Sequence, residues 1–215
     1  VSFAALPAFC RIKATIRPSA DSEIKVEVWM PATGWNGKFM GVGNGGWAGQ
    51  ISTFAMAAPL LRGYAAASTD TGHEGAIQAS FALGHPEKLV DFAYRAVHEM
   101  TVKAKSIVSA FYGEAPKLSY WNGCSTGGRQ GLKEAQRFPA DYDGIIAGAP
   151  ANNWTRLMTG IVWAAQATHQ GQPGNMSAKK LSMLHAAVLR ACDASDGVRD
   201  GVLEDPTRCR FDPGS

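Results

Sequence analysis

Tyr120-Trp121-Asn122-Gly123-Cys124-Ser125-Thr126-Gly127-Gly128-Arg129 decides how the rest of the chain is read. Upstream, Leu118 to Trp121 is a short apolar strand pattern, and downstream a helix runs from about Ser125 to Phe138. Between them, Gly123-Cys124-Ser125-Thr126-Gly127 has the spacing of the G-x-S-x-G elbow. That turn is tight enough to demand small residues around its serine, which accounts for Gly123, Gly127 and Gly128. It lifts the hydroxyl above the sheet, near the positive end of the following helix, where a nucleophile is useful. Ser125 is therefore the candidate nucleophile. A plain strand-to-helix turn with Ser125 as N-cap competes with this reading but leaves the crowding of glycines unexplained. Cys124 as nucleophile ranks lower, because a thiolate needs a nearby base and a lowered pKa.

The strand Lys38 to Val42 ends in Gly43-Asn44-Gly45-Gly46. An acyl-transfer site needs two backbone N–H groups aimed at the developing oxyanion. One is expected from Thr126, the residue after the nucleophile, and the other from a Gly-rich loop of this kind. Asn44-Gly45 as a simple turn is the alternative, and the run lacks the spacing of a phosphate loop. Further upstream, Arg11 to Ile16 and Glu23 to Met30 alternate with a period of two and read as half-buried strands of a hairpin around Pro18 to Ser22. Tyr64 to Ser68 and Gly144 to Ala147 read as strands, and Lys88 to Tyr112 as one long helix. Alternation of strands and helices predicts an α/β fold with a largely parallel sheet and helices on both faces. Past Pro150 the composition shifts to a Trp-, Met- and Ala-rich stretch, a loop at Gly171 to Asn175 and a helix at Lys179 to Ala191. The domain boundary is set near Ala151, giving units 1–150 and 151–215.

Composition narrows the function classes. A chain of 215 residues, 46% apolar and 18% charged, is an ordinary globular balance. A net charge of +3 without a basic stripe gives no case for a nucleic-acid partner, and no apolar stretch approaches the roughly 20 residues that span a bilayer. The four cysteines, Cys10, Cys124, Cys192 and Cys209, include no CxxC pair, and their even number permits two disulfides in an oxidising compartment. Cys192 and Cys209 bracket a short Asp- and Gly-rich segment and look like natural partners.

That segment, Asp193-Ala194-Ser195-Asp196-Gly197-Val198-Arg199-Asp200-Gly201-Val202, has a chemistry of its own. Three carboxylates converging without cationic partners would repel, so a hard cation is the natural counter-charge. The spacing does not fit an EF-hand, and a solvated acidic turn is the bland alternative.

Taken with Trp35-Asn36-Gly37-Lys38-Phe39, Gly43 to Gly49, Ser68-Thr69-Asp70-Thr71-Gly72-His73 and Tyr142 to Pro150, the elbow segment resembles the tannase and feruloyl esterase family, which includes mono(hydroxyethyl) terephthalate hydrolases. The match runs in family order from about Cys10 to Pro213. The resemblance implies the N-terminal part of an α/β-hydrolase catalytic domain with the start of an inserted lid. It implies a secreted or periplasmic serine esterase acting on feruloyl, galloyl or terephthaloyl esters, with a small-molecule aromatic ester as partner. It places the oxyanion-hole N–H groups on Gly46 and Thr126. Position 126 is often acidic in terephthalate-type members, and here it is Thr. It also implies a structural Ca2+ in the lid, held by the side chains of Asp193, Asp196 and Asp200 and backbone oxygens of Val198 and Val202, with Cys192–Cys209 clamping the loop. The family pattern gives Cys124 a partner beyond residue 215, next to the catalytic His, and Cys10 a partner upstream of Val1. The triad acid and His are then expected downstream, and the 215 residues alone are expected to be inactive. Hydrolase triads of this fold run Ser, acid, His along the chain, so Asp70 and His73 are read as a loop pair bonded to backbone. His85, His98, His169 and His185 offer no better base; His98 reads as a helix-surface or packing residue. A calcium-dependent binding module without catalysis and a peptidase on the same fold are the competing functions.

Overall fold

The computed structural model describes residues 5–47, 49–75, 78–169 and 177–214. Strand β1 (Phe9–Ile16) and β2 (Ile24–Pro31) form the expected hairpin. They are followed by β3 (Lys38–Val42), α1 (Thr53–Leu61), β4 (Ala65–Thr69), α2 (Pro86–Val90), a π turn at Asp91–Arg95, and α3 (Ala96–Tyr112). Next come β5 (Leu118–Cys124), α4 (Thr126–Arg137), β6 (Gly144–Gly148), α5 (Trp154–His169) and α6 (Ala178–Cys192). The sheet order is β1-β2-β4-β3-β5-β6. Strand β2 runs against its neighbours β1 and β4, whereas β4, β3, β5 and β6 are mutually parallel. This is the α/β-hydrolase arrangement the sequence predicted.

Strand alternation sorts the core into two faces. Ile24, Val26, Val28, Phe39, Ala65, Ala67 and Trp121 pack with Val97, Met100, Ala104 and Val108 of α3. Trp29, Val42 and Ala66 point the other way and pack with Met56, Ala57 and Leu60 of α1. Helix α1 was not foreseen. Its apolar residues crowd all round a short segment with Pro59 inside it, so no one-faced period marks it. Because α1 covers that face, β2 is buried on both sides over most of its length, which corrects the half-buried expectation. Glu27 is buried there. Its carboxylate accepts from Arg11 Nε at 2.8 Å and Nη2 at 2.7 Å and from Trp29 Nε1 at 3.0 Å, so a charge that read as solvent-facing is paired inside.

The single long helix from Lys88 to Tyr112 is also corrected. It is interrupted by the π turn, where buried Asp91 accepts from Ser22 Oγ and from Arg95 Nε, both at 2.6 Å.

Two compact units are formed, Val1–Asn152 and Asn153–Ser215. The second holds α5, α6 and a disulfide between Cys192 and Cys209, with Cα atoms 5.5 Å apart. Ser177 caps α6 by accepting from Lys180 N at 3.3 Å. The loop expected at Gly171 to Asn175 lies outside the described residues. No described helix is long and apolar enough to cross a membrane.

Trp121 is fully buried and lies against Gly131 of α4, where an added Cβ would come within 2.7 Å of its Cδ1. Its indole N–H donates to the Gly127 carbonyl at 2.9 Å. Trp121→Ala should cost about 3–5 kcal/mol, read as a lower urea midpoint for the full-length protein.

Candidate active site

Ser125 sits where β5 gives way to α4, with φ +59° and ψ −118°. A non-glycine residue rarely adopts a positive φ, and the surroundings hold it there. Its N–H donates to Gly148 O, and its own carbonyl accepts from Arg129 N and Ala151 N, each at 3.0 Å. Although Ser125 occupies the N-cap position of α4, its side chain makes no capping hydrogen bond. The N-cap alternative is therefore not what this serine does. Its side chain is exposed, as is that of Cys124.

The glycines around it are demanded by close backbone approach. A Cβ on Gly123 would lie 2.3 Å from Gly127 O, one on Gly43 2.5 Å from Gly127 Cα, and one on Gly128 2.4 Å from Gly148 O. Helix α4 can therefore begin directly against the ends of β3, β5 and β6.

The Gly-rich loop after β3 is pinned on several sides. Thr126 is buried, and its Oγ1 donates to Gly46 O at 2.8 Å, so the two expected oxyanion donors belong to hydrogen-bonded neighbours. Gly46 itself has φ +56°, a conformation that suits glycine. Asn44 and Gln130 of α4 exchange bonds at 3.0 Å: Asn44 N donates to Gln130 Oε1 and Gln130 Nε2 to Asn44 Oδ1. Asn44 Nδ2 also donates to Gln50 O and Thr69 O. Sequence reasoning missed this amide pair, since its partners are 86 residues apart and neither belongs to the elbow pattern.

A further support comes from the loop after β4. His73 Nε2 lies 2.7 Å from Trp47 O and donates to it, and the His73 ring stacks on Phe81 at 3.6 Å between centroids. Burial pulls the His73 pKa down, so the ring stays neutral. Asp70 is buried and accepts at Oδ1 from Lys25 N and Gly72 N, both at 2.9 Å. Both residues thus bond to backbone, and neither is hydrogen-bonded to Ser125.

The other histidines are placed as follows. His85 pairs with Asp21 at 2.8 Å, and His98 is bonded to Asp141 and stacked on Phe138. His185 is exposed on α6, and the His169 side chain lies outside the described residues. Among the described residues no histidine is hydrogen-bonded to the Ser125 hydroxyl. Cys10 and Cys124 are free thiols.

In the second unit, Asp193 Oδ1 accepts from Gly201 N, Asp196 Oδ1 from Val198 N and Asp200 Oδ1 from Val202 N, at 2.9–3.0 Å. Gly197 (φ +98°) and Gly201 (φ +82°) turn the chain. No described Lys, Arg or His forms an ion pair with these three acids. Their oxygens are not gathered into one group; the described ligand group lying within 4.8 Å of one another is His98, Glu134 and Asp141.

A mostly parallel sheet, a serine at a strained strand-to-helix elbow and a glycine-rich loop bonded beside it define an α/β-hydrolase fold. The comparisons narrow this further: the chain belongs to the tannase and feruloyl esterase family, whose profile matches residues 10–215. An uncharacterized esterase of Xanthomonas campestris is 47% identical over 210 residues, covering 97% of this chain and 36% of its own length. Feruloyl esterase B of Aspergillus niger is 41% identical over 202 residues, 93% of this chain and 38% of its own. Among solved structures, feruloyl esterase B of Aspergillus oryzae superposes with a TM-score of 0.83 at 37% identity, covering 98% of this chain and 43% of that one. The chain thus spans well under half the length of these relatives.

Burial pushes the Asp70 carboxyl up to about 6. The folded state then favours its neutral form, so Asp70 contributes stability that is present below the ordinary carboxylate pKa and lost as pH rises through about 6. Asn keeps an acceptor for Lys25 N and Gly72 N without a charge. Thermal midpoints compared between pH 4 and pH 7 should show Asp70→Asn gaining on the wild type as pH rises; a constant difference would contradict this.

Proposed function

We propose that the full-length protein is a carboxylic ester hydrolase acting on esters of aromatic acids, with Ser125 forming the acyl-enzyme. The observation that carries the reading is an exposed serine held at φ +59° whose hydroxyl caps nothing. Ser125 Oγ attacks the ester carbonyl, and the N–H groups of Gly46 and Thr126 receive the developing oxyanion. The Thr126–Gly46 hydrogen bond and the Asn44–Gln130 pair fix the loop before reaction, which is how such donors lower a barrier. The alcohol leaves, and water then releases the acid from Ser125 in a second step. A histidine base and an acid from outside the described residues complete the machinery. Family membership and the likeness to feruloyl esterases support feruloyl or galloyl esters; terephthaloyl esters remain within the same class. A secreted or periplasmic location suits the disulfide.

The acidic loop of the second unit fits a calcium ion by its donors. Asp193, Asp196 and Asp200 offer hard oxygens, Val198 and Val202 are tied into the same turns, and no described basic side chain competes. The ion would supply the counter-charge that draws the three carboxylates, separate in this structure, onto one centre, a structural role.

Ser125→Ala in the full-length protein should lower turnover of feruloyl esters about 10⁴-fold or more while leaving its thermal midpoint near that of the wild type. Activity retained in a folded Ser125→Ala variant would overturn the assignment. A fluorophosphonate probe should label the wild type and spare the variant; an unlabelled wild type would favour the calcium-dependent binding module.

Chelation of calcium should lower the thermal midpoint, by an amount equivalent to about 2.7 kcal/mol if calcium was present at a hundredfold excess over its Kd. Asp196→Ala should remove the calcium response. A midpoint indifferent to chelator would exclude the site.

A further inference from the structure

Away from Ser125, three side chains from separate parts of the first unit meet. His98 belongs to α3, Glu134 to α4 and Asp141 to the turn before β6, and one ligand atom of each lies within 4.8 Å of the other two. His98 Nδ1 is 2.7 Å from Asp141 Oδ2, and its ring is stacked on Phe138 at 3.8 Å. Glu134 is 1% exposed, and neither of its carboxylate oxygens has a hydrogen-bond donor.

A buried carboxylate without a donor is expensive, and its neighbour Asp141 is another acceptor. The two acids can share this space only if a proton or a cation lies between them. Lys105 Nζ bonds the Asp141 backbone carbonyl and Tyr142 pairs with Thr101, and neither donates to Glu134. Glu134 lies about 13 Å along α4 from Ser125, so the cluster is separate from the elbow.

We propose that His98, Glu134 and Asp141 bind a divalent transition-metal cation of the zinc class, with water as a fourth ligand. One imidazole nitrogen and two carboxylate oxygens are ligands zinc accepts in a four-coordinate site. Calcium, which takes six to eight oxygens, is poorly served by them. The bound ion joins α3 to the end of α4 and to the turn that leads into β6. It supplies the counter-charge Glu134 lacks, and the role is independent of the esterase reading.

The test uses the full-length protein, stripped of metal and returned to saturating calcium, with zinc chloride as the probe in calorimetry and thermal unfolding. The wild type should take up zinc and rise in thermal midpoint by about 5 °C at a hundredfold excess over Kd. Glu134→Gln and His98→Phe should lose both responses. Glu134→Gln is isosteric with a protonated carboxyl, so it should fold even if His98→Phe does not. No zinc-dependent shift in the wild type would mean that a proton is the resident, and overturns the proposal. Equal uptake by wild type and Glu134→Gln also overturns it, because the zinc would then be bound elsewhere.

Discussion

Three backbone segments touch at a place where no side chain can fit: the end of β3 at Gly43, the end of β5 at Gly123, and the first turn of α4 at Gly127. Their contact brings the start of a helix directly onto the rim of a sheet. The turn between strand and helix must then be completed in one residue, and Ser125 takes the positive-φ conformation that does so. Because the helix begins so close to β3, Thr126 and Gln130 reach the loop that follows that strand. A contact between glycines thus sets both the strain at the serine and the position of the loop beside it.

Helix α4 is held from a second direction. In the π turn of Asp91–Arg95 the regular helical hydrogen-bonding pattern is broken, and the carbonyls of Phe92 and Ala93 accept from the Arg129 guanidinium, each at 3.1 Å. The guanidinium also lies 4.9 Å from the Phe92 ring centroid. Burial lowers the Arg129 pKa to about 10, which still leaves the cation intact at neutral pH. The irregular turn is therefore a socket, and the residue that fills it stands four positions after the serine.

These relations were unequally visible in the chain of letters. The strand, elbow and helix around Ser125 were legible because their signal is local: an apolar run, a fixed glycine spacing and a helical continuation. The hairpin was legible by its alternation. Helix α1 was not, because Phe54, Ala55, Met56, Ala57 and Ala58 give no polar face to fix a period, and Pro59 interrupts the pattern. The π turn shifts hydrogen bonds by one residue while leaving the apolar spacing of Phe92, Ala96 and Val97 nearly unchanged, so Lys88 to Tyr112 read as unbroken. Glu27 looked solvent-facing because its neutralising partner, Arg11, lies on another strand. The meeting of His98, Glu134 and Asp141 depends on how α3 and α4 pack, which no window of sequence contains.

The surface under Ser125 is made of main chain: Gly43, Gly123, Gly127 and the glycines flanking them present almost nothing but peptide groups. Peptide groups are the same in every protein, so point mutations here can abolish the geometry but cannot graduate it. Under the proposed function, a lineage changing its preferred ester must therefore do so through side chains elsewhere, while this floor stays fixed. Chemistry and selectivity are then free to drift separately.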